Sequence, residues 1–310
     1  MKVFVIGPSF VGKSTLVERL TGGKGVGVLS VLDDRFDRLV ELFRSRKATP
    51  LQITLIDSDA LGKAYNENRP TRVFQELADA DVFLEVSGGL VGDFLSFTDT
   101  TLRFLSVESD VLTRRIERLK KEVAAGKGDR RELEVLVRAL NALEEGIPLY
   151  AVDFRAEEVK VLRGLGLLSV KPRVILFNAT REGGPDEEIL NEVREQGLPY
   201  VVANLKEEDA DALNRKVSEA ILKATDTITF FTPGEKETRA WPLKRGGTVL
   251  EAAATIHNDL AKRFVRAEVV RWDRLVEAGG WKGAKERNYV RLEGRDYVVQ
   301  DGDCIYIRAS

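Results

Sequence analysis

The run KVFVIGPSFVGKST, residues 2–15, limits what this chain can become more than any other stretch. An apolar segment leads directly into Gly7-Pro8-Ser9-Phe10-Val11-Gly12-Lys13-Ser14, which satisfies the spacing G-x-x-x-x-G-K-[ST] without a mismatch. Each position has a physical reason. Gly12 lets backbone N–H groups approach phosphate oxygens. Lys13 reaches the β and γ phosphates, and the Ser14 hydroxyl is a magnesium ligand. A helix beginning at Lys13 and running through Thr15 offers its positive end to the same anion. The expectation is a purine-nucleotide site on residues 7–15, with Mg²⁺ as its cofactor and Lys13 stabilising the charge of the transition state.

Further apolar runs follow at residues 51–57, 81–86, 172–179 and 198–204. They are continuous rather than alternating, the pattern of strands buried on both faces of a parallel sheet. Helical patterns between them predict a doubly wound α/β domain. Asp57, at the carboxyl end of the second of these strands, is placed to stand beside the magnesium, with Asp59 as a rival. Asn178 closes the fourth run, and Ala203-Asn204 closes the fifth.

A different texture fills residues 108–146. Leu112, Ile116, Leu119 and Val123 fall at coiled-coil spacing, as do Leu133, Leu136, Leu140 and Leu143, with AGKGD (125–129) between them. This predicts an antiparallel helical hairpin inserted at about residues 107–146, either packed on itself or serving as a partner-binding arm. The texture changes again after Ala224: two strand patterns, a helix opened by a Thr248–Glu251 capping box, then further strands. The expected domains are 1–225, binding nucleotide, and 226–310, small and α+β.

Composition adds exclusions. A formal net charge of -2 gives no global argument for nucleic acid. No apolar run approaches the roughly 18 residues that cross a bilayer, and the N-terminus lacks the parts of a signal peptide. A soluble, cytoplasmic protein is expected. The single cysteine, Cys304, allows no internal disulfide and reads as buried; the single histidine, His257, reads as packing or surface. Trp241, Trp272 and Trp281, with Lys244, Arg245, Arg266 and Arg271 near them, read as core and rim, with an RNA-facing surface as the sharper alternative.

Several of these stretches resemble the YchF or Obg-like ATPases, a branch of the translation-factor-related P-loop GTPases. VLDDRFDRLVEL (31–42) is similar to that family's Pro-Asp-x-Arg-Leu-Asp signature, and the hairpin sits at its insertion point. ITFFTPGEKETRAW (228–241), AAATIHNDLAKRFVRAEVV (252–270) and RLEGRDYVVQDGD (291–303) look like its C-terminal TGS domain, a ubiquitin-like β-grasp module. The resemblance implies binding of Mg-ATP or GTP, slow hydrolysis, and a switch that presents the hairpin and TGS domain to the ribosome or its RNA. It also implies that Asn178, Ala203 and Asn204 lie near the base.

The chain departs from the family at defined places. Asp57-Ser58-Asp59-Ala60-Leu61 has Ala60 where the family has the Gly whose amide senses the γ phosphate; Leu61 keeps the family's apolar residue. RLTGGKGVGVLSVLDD (19–34) is short and offers no threonine after Thr21 to close over magnesium, so the switch is expected to be missing or rebuilt. Asn178-Ala179-Thr180-Arg181 puts an arginine, which has no acceptor for guanine, at the base-reading place, with Glu182 one residue late. These departures favour a second reading, a non-hydrolysing relative acting as an interaction scaffold. A third reading, a small-molecule kinase built on the same loop, is weak, because the chain shows no recognisable substrate lid and the C-terminal module would go unexplained.

Overall fold

A computed structural model describes residues 1–59, 76–181 and 183–310. The expectations about Ala60, Leu61 and Glu182 therefore lie outside the described residues. The chain divides into two compact units. One comprises Met1–Leu29 with Thr54–Ala224, the other Ser30–Ile53 with Thr225–Ser310. The sequence reading placed residues 30–53 in the nucleotide domain; by contacts they join the C-terminal unit.

The first unit is built on a sheet of order β2-β4-β1-β5-β6-β7, with β1 at Lys2–Ile6, β2 at Val26–Ser30, β4 at Gln52–Asp57, β5 at Val82–Gly88, β6 at Arg173–Asn178 and β7 at Tyr200–Ala203. Parallel pairing joins β4, β1, β5, β6 and β7 in turn. The order explains the continuous apolar runs: β5 is buried along its whole length, and β1 at all but its first residue. β1 lies between β4 and β5, so the chain departs to opposite sides of it, and its carboxyl end is the switch point where such sheets bind ligands. Register aligns the rest of the site. Val5 pairs with Asp57, and Asn178 pairs with both Gly88 and Ala203.

Helix α1 (Lys13–Thr21) follows β1, and α2 (Asp34–Phe43), which follows β2, belongs to the second unit. The hairpin pairs α3 (Ser96–Ala124) with α4 (Arg130–Glu144). Its first helix has 29 residues and begins at Ser96, well before the expected residue 107. The added turns bury Phe97, Thr100, Thr101 and Phe104, an i, i+3, i+4, i+7 stripe that belongs to the core of the sheet domain. Beyond them Leu112, Ile116 and Leu119 meet Leu136, Ala139 and Leu143 in the hairpin's own core. A buried carboxylate anchors its root. Glu108 accepts hydrogen bonds from the amides of Leu168 (2.5 Å) and Ser169 (2.8 Å), and burial pushes its pKa up to about 7. Glu85 and Arg173 form a second buried pair at 3.1 Å, and burial raises the Glu85 carboxyl. Helices α5 (Ala156–Gly164), α6 (Glu187–Glu195) and α7 (Ala210–Ala224) complete the unit.

The second unit has a mixed sheet of order β11-β10-β12-β8-β9-β3, comprising β3 (Ala48–Thr49), β8 (Thr227–Thr232), β9 (Thr238–Lys244), β10 (Phe264–Arg271), β11 (Arg291–Glu293) and β12 (Asp303–Ala309). Helix α8 (Val249–Ile256) packs Val249, Ala252 and Ala253 into a core with Phe230, Ala267 and Ile305. Its capping box forms as the spacing predicts: Thr248 N donates to Glu251 Oε2 at 2.6 Å, and Glu251 N to Thr248 Oγ1 at 3.3 Å. Residues 30–53 belong here because β3 pairs with β9 and because Arg35 reaches Asp301 Oδ2 at 2.6 Å. Asp301 in turn accepts from Thr229 N at 2.9 Å.

The bland readings hold for the lone cysteine and histidine. Cys304 is buried, and burial raises its thiol pKa well above the ordinary value. His257 caps a short helix, its Nδ1 accepting from Asp259 N at 3.1 Å. Trp241 stacks against Phe230 and under Arg239, and Trp281 donates to Pro233 O at 3.2 Å. No described helix is long and apolar enough to cross a membrane.

Candidate nucleotide site

The loop after β1 gets its shape from two glycines. Gly7 has φ +131°, and a Cβ there would fall 2.3 Å from the Val86 carbonyl oxygen of β5. Gly12 has φ +108°, and its Cβ would fall 2.7 Å from Asn178 Nδ2. Only glycine meets both demands at either position. Between them Phe10 takes φ +67° with its ring exposed, while Val11 is buried and fixes the loop to the core. Pro8 is half-buried; Ser9, Ser14 and Thr15 face solvent.

Lys13, the first residue of α1, folds back under the loop and is 6% exposed. Its Nζ donates to Gly7 O at 3.0 Å and Pro8 O at 2.7 Å. The two candidate acids are placed apart. Ser14 Oγ donates to Asp57 Oδ2 at 2.5 Å, while Asp59 Oδ1 lies 3.4 Å from Lys13 Nζ. A serine hydroxyl beside a carboxylate, at the mouth of a phosphate-shaped loop, is a donor set of hard oxygens that fits Mg²⁺. Among the described residues no cluster of three or more His, Cys, Asp or Glu side chains makes a separate metal site. Thr21 is unsuited to closing over a cation. Its Oγ1 donates to Val17 O at 2.7 Å and accepts from Gly23 N at 3.1 Å, both within its own helix end.

Asn178 joins the phosphate loop to the next stretch of the site. Its Nδ2 donates to Val11 O at 2.8 Å, and its Oδ1 accepts from Leu205 N at 3.1 Å. Ala203 is buried, and its carbonyl accepts from Ala179 N at 2.9 Å. Asn204 turns its Oδ1 to its own loop, accepting from Lys206 N at 3.0 Å and Glu207 N at 3.2 Å. Arg181, 84% exposed, pairs with Glu207. A cavity of about 340 Å³ opens between Gly89 and Leu90 on one side and residues 178–181 with Asn204, Lys206 and Glu207 on the other.

Two contributors escaped the sequence reading. Gly89 (φ +64°) sits so close to the loop that its Cβ would lie 2.6 Å from Val11 O; the Gly88-Gly89 pair at a strand's carboxyl end was its only signal. Arg19, on α1, holds the carbonyls of Leu205 (2.6 Å) and Glu208 (2.5 Å), fastening the loop that forms the cavity wall. Nothing local marks that arginine.

A glycine-shaped loop at the switch point of a mostly parallel sheet, with lysine, serine and a strand-end aspartate converging on it, defines a P-loop nucleoside-triphosphatase fold. Comparison with known proteins narrows the class. Residues 227–310 match the family described as YchF-GTPase_C, a protein of unknown function (DUF933). The "Ribosome-binding ATPase YchF" of Escherichia coli O157:H7 is 30% identical over 355 aligned residues, covering 97% of each chain. The protein of the same name from Bacillus subtilis (strain 168) is 28% identical, covering 98% of each. In three dimensions the chain is similar to the Schizosaccharomyces pombe YchF GTPase (TM-score 0.82, 21% identity, 99% of this chain and 97% of that one). It is also similar to a GTP-binding protein from Pyrococcus horikoshii OT3 (TM-score 0.65, 15% identity, both chains covered fully). The two structural likenesses bear on the fold alone. This chain belongs to the YchF family.

Proposed function

We propose that this protein binds a purine nucleoside triphosphate, ATP or GTP, through residues 7–15, hydrolyses it slowly, and associates with the ribosome in the cytoplasm. The observation that carries the reading is the convergence, at the carboxyl ends of the sheet's strands, of Lys13, the Ser14–Asp57 pair and the Asn178 clamp. Ser14 and Asp57 would hold Mg²⁺, which when bound supplies positive charge to the β and γ phosphates. The residues themselves do the rest. Loop amides and the amino end of α1 face the phosphates, and Lys13 carries charge to the γ side. Catalysis in this reading rests on positioning and charge, and turnover is slow because no general base is assigned. Ala203 shapes the wall near the base, and Asn204 holds the adjoining turn.

The ribosome enters from the relatives' name and from the hairpin. Near its turn the hairpin exposes Arg114, Arg118, Lys120, Lys121, Lys127 and Arg130, a set suited to a phosphodiester backbone. Calorimetric titration with Mg-ATP and Mg-GTP tests the nucleotide reading. Lys13→Ala is expected to abolish binding, and unchanged affinity in that variant would refute it.

A further inference from the structure

Lys13 carries one feature that the phosphate-loop pattern does not ask for. Its ammonium is capped on one side by the carbonyls of Gly7 and Pro8, and on another by the Asp59 carboxylate at 3.4 Å. The lysine is 6% exposed and Asp59 is 67% exposed, so the carboxylate reaches in from the solvent side to a charge that the loop otherwise buries. Asp57, two residues earlier, is engaged with Ser14 Oγ at 2.5 Å and takes no part in this contact.

We infer that Asp59 competes with the terminal phosphate of a nucleoside triphosphate for Lys13 Nζ, and so biases the site towards the diphosphate. The inference rests on the nucleotide reading given above. Its physics is short-range and charge-based. A γ-phosphate brought to Lys13 must lie beside a carboxylate or displace it, and either outcome lowers the net attraction that the lysine provides. A diphosphate meets Lys13 through its β phosphate alone and draws the rest of its binding from the loop amides and the helix end, so it brings less charge against Asp59 and meets less of this cost. Because Asp59 is largely solvated, screening limits the effect to a modest factor rather than an absolute block.

Titration of wild type, Asp59→Asn and Asp59→Ala with Mg-ATP and with Mg-ADP tests the inference, with Lys13→Ala as control. Asp59→Asn is expected to tighten Mg-ATP roughly tenfold and Mg-ADP by less than about threefold. Asp59→Ala should move the ratio in the same direction, which separates lost charge from any new contact made by the amide. Equal changes for both nucleotides, or none, overturn the inference while leaving nucleotide binding intact. Weakened Mg-ATP binding also overturns it, since Asp59 would then help to hold the phosphate or its cation. Failure of every protein to bind either nucleotide overturns both this inference and the reading it rests on.

Discussion

In the proposed nucleotide site, the loop end that would take the phosphates and the cavity end that would take the base are made of different material. At the phosphate end the geometry comes from backbone: Gly7 and Gly12 at positive φ, carbonyls that hold Lys13, and a carbonyl of Val11 that Asn178 grips. At the base end it comes from side chains on loops, with Asn204 folded onto its own turn and Arg181 paired to Glu207. Backbone fixed to the carboxyl ends of interior strands tolerates few alternatives. Exposed side-chain pairs tolerate many, because each contributes little and water can replace it. Arg181, which has no acceptor to offer a base, belongs to the second kind of construction.

If that contrast is right, the largest single loss comes from the backbone. In Gly7→Ala the new Cβ would fall 2.3 Å from the Val86 carbonyl oxygen at a φ of +131°, so strand β5 or the loop must shift. We expect destabilisation of about 2–4 kcal/mol and a loss of nucleotide affinity beyond roughly 100-fold. Urea unfolding and Mg-ATP titration would measure both. Wild-type affinity in this variant would break the claim that loop shape makes the phosphate end.

Asn178 sits between the two ends, and its replacement sharpens the comparison. Asn178→Ala removes the donor to Val11 O and the acceptor for Leu205 N. Each group left unpaired costs about 1–3 kcal/mol where it is shielded from water. The expected outcome is about tenfold weaker binding of ATP and of GTP alike, because the damage passes through the loop and not through a base contact. A loss confined to one nucleotide would make Asn178 a base reader and move the boundary between the two ends.

The same contrast sets what the sequence could tell. The phosphate loop, the buried strands and the Thr248–Glu251 cap rest on neighbours close in the chain, and their signals were complete. The start of α3 was hidden for a local reason. SFTDTTLRFL is rich in aromatic and β-branched residues, yet Phe97, Thr100, Thr101 and Phe104 lie at helical spacing and bury on the sheet. Residues 30–53 were misplaced for a long-range one. Chain order puts them in the first unit, while the β3–β9 pairing and the Arg35–Asp301 contact put them in the second, and no local pattern announces either. Arg19 and Gly89 act on loops that only folding brings near them. Asp57 and its rival Asp59, two residues apart, meet different partners in the fold, one Ser14 and the other Lys13.

The smallest effect is expected at the base end itself. Arg181 is 84% exposed, and its partner Glu207 also stands at the rim of the cavity. An exposed ion pair of this kind adds little to stability, so Arg181→Ala should unfold at the wild-type urea concentration. Its guanidinium still has donors that Glu207 does not engage, and those are the groups able to meet a base edge. With only such solvated contacts available, the ATP-to-GTP affinity ratio should change by less than about threefold. Competition between the two nucleotides in wild type and variant would read this directly. A tenfold change in the ratio would place a true reader at Arg181, and the base end would then be as firmly built as the phosphate end, by side chains instead of backbone.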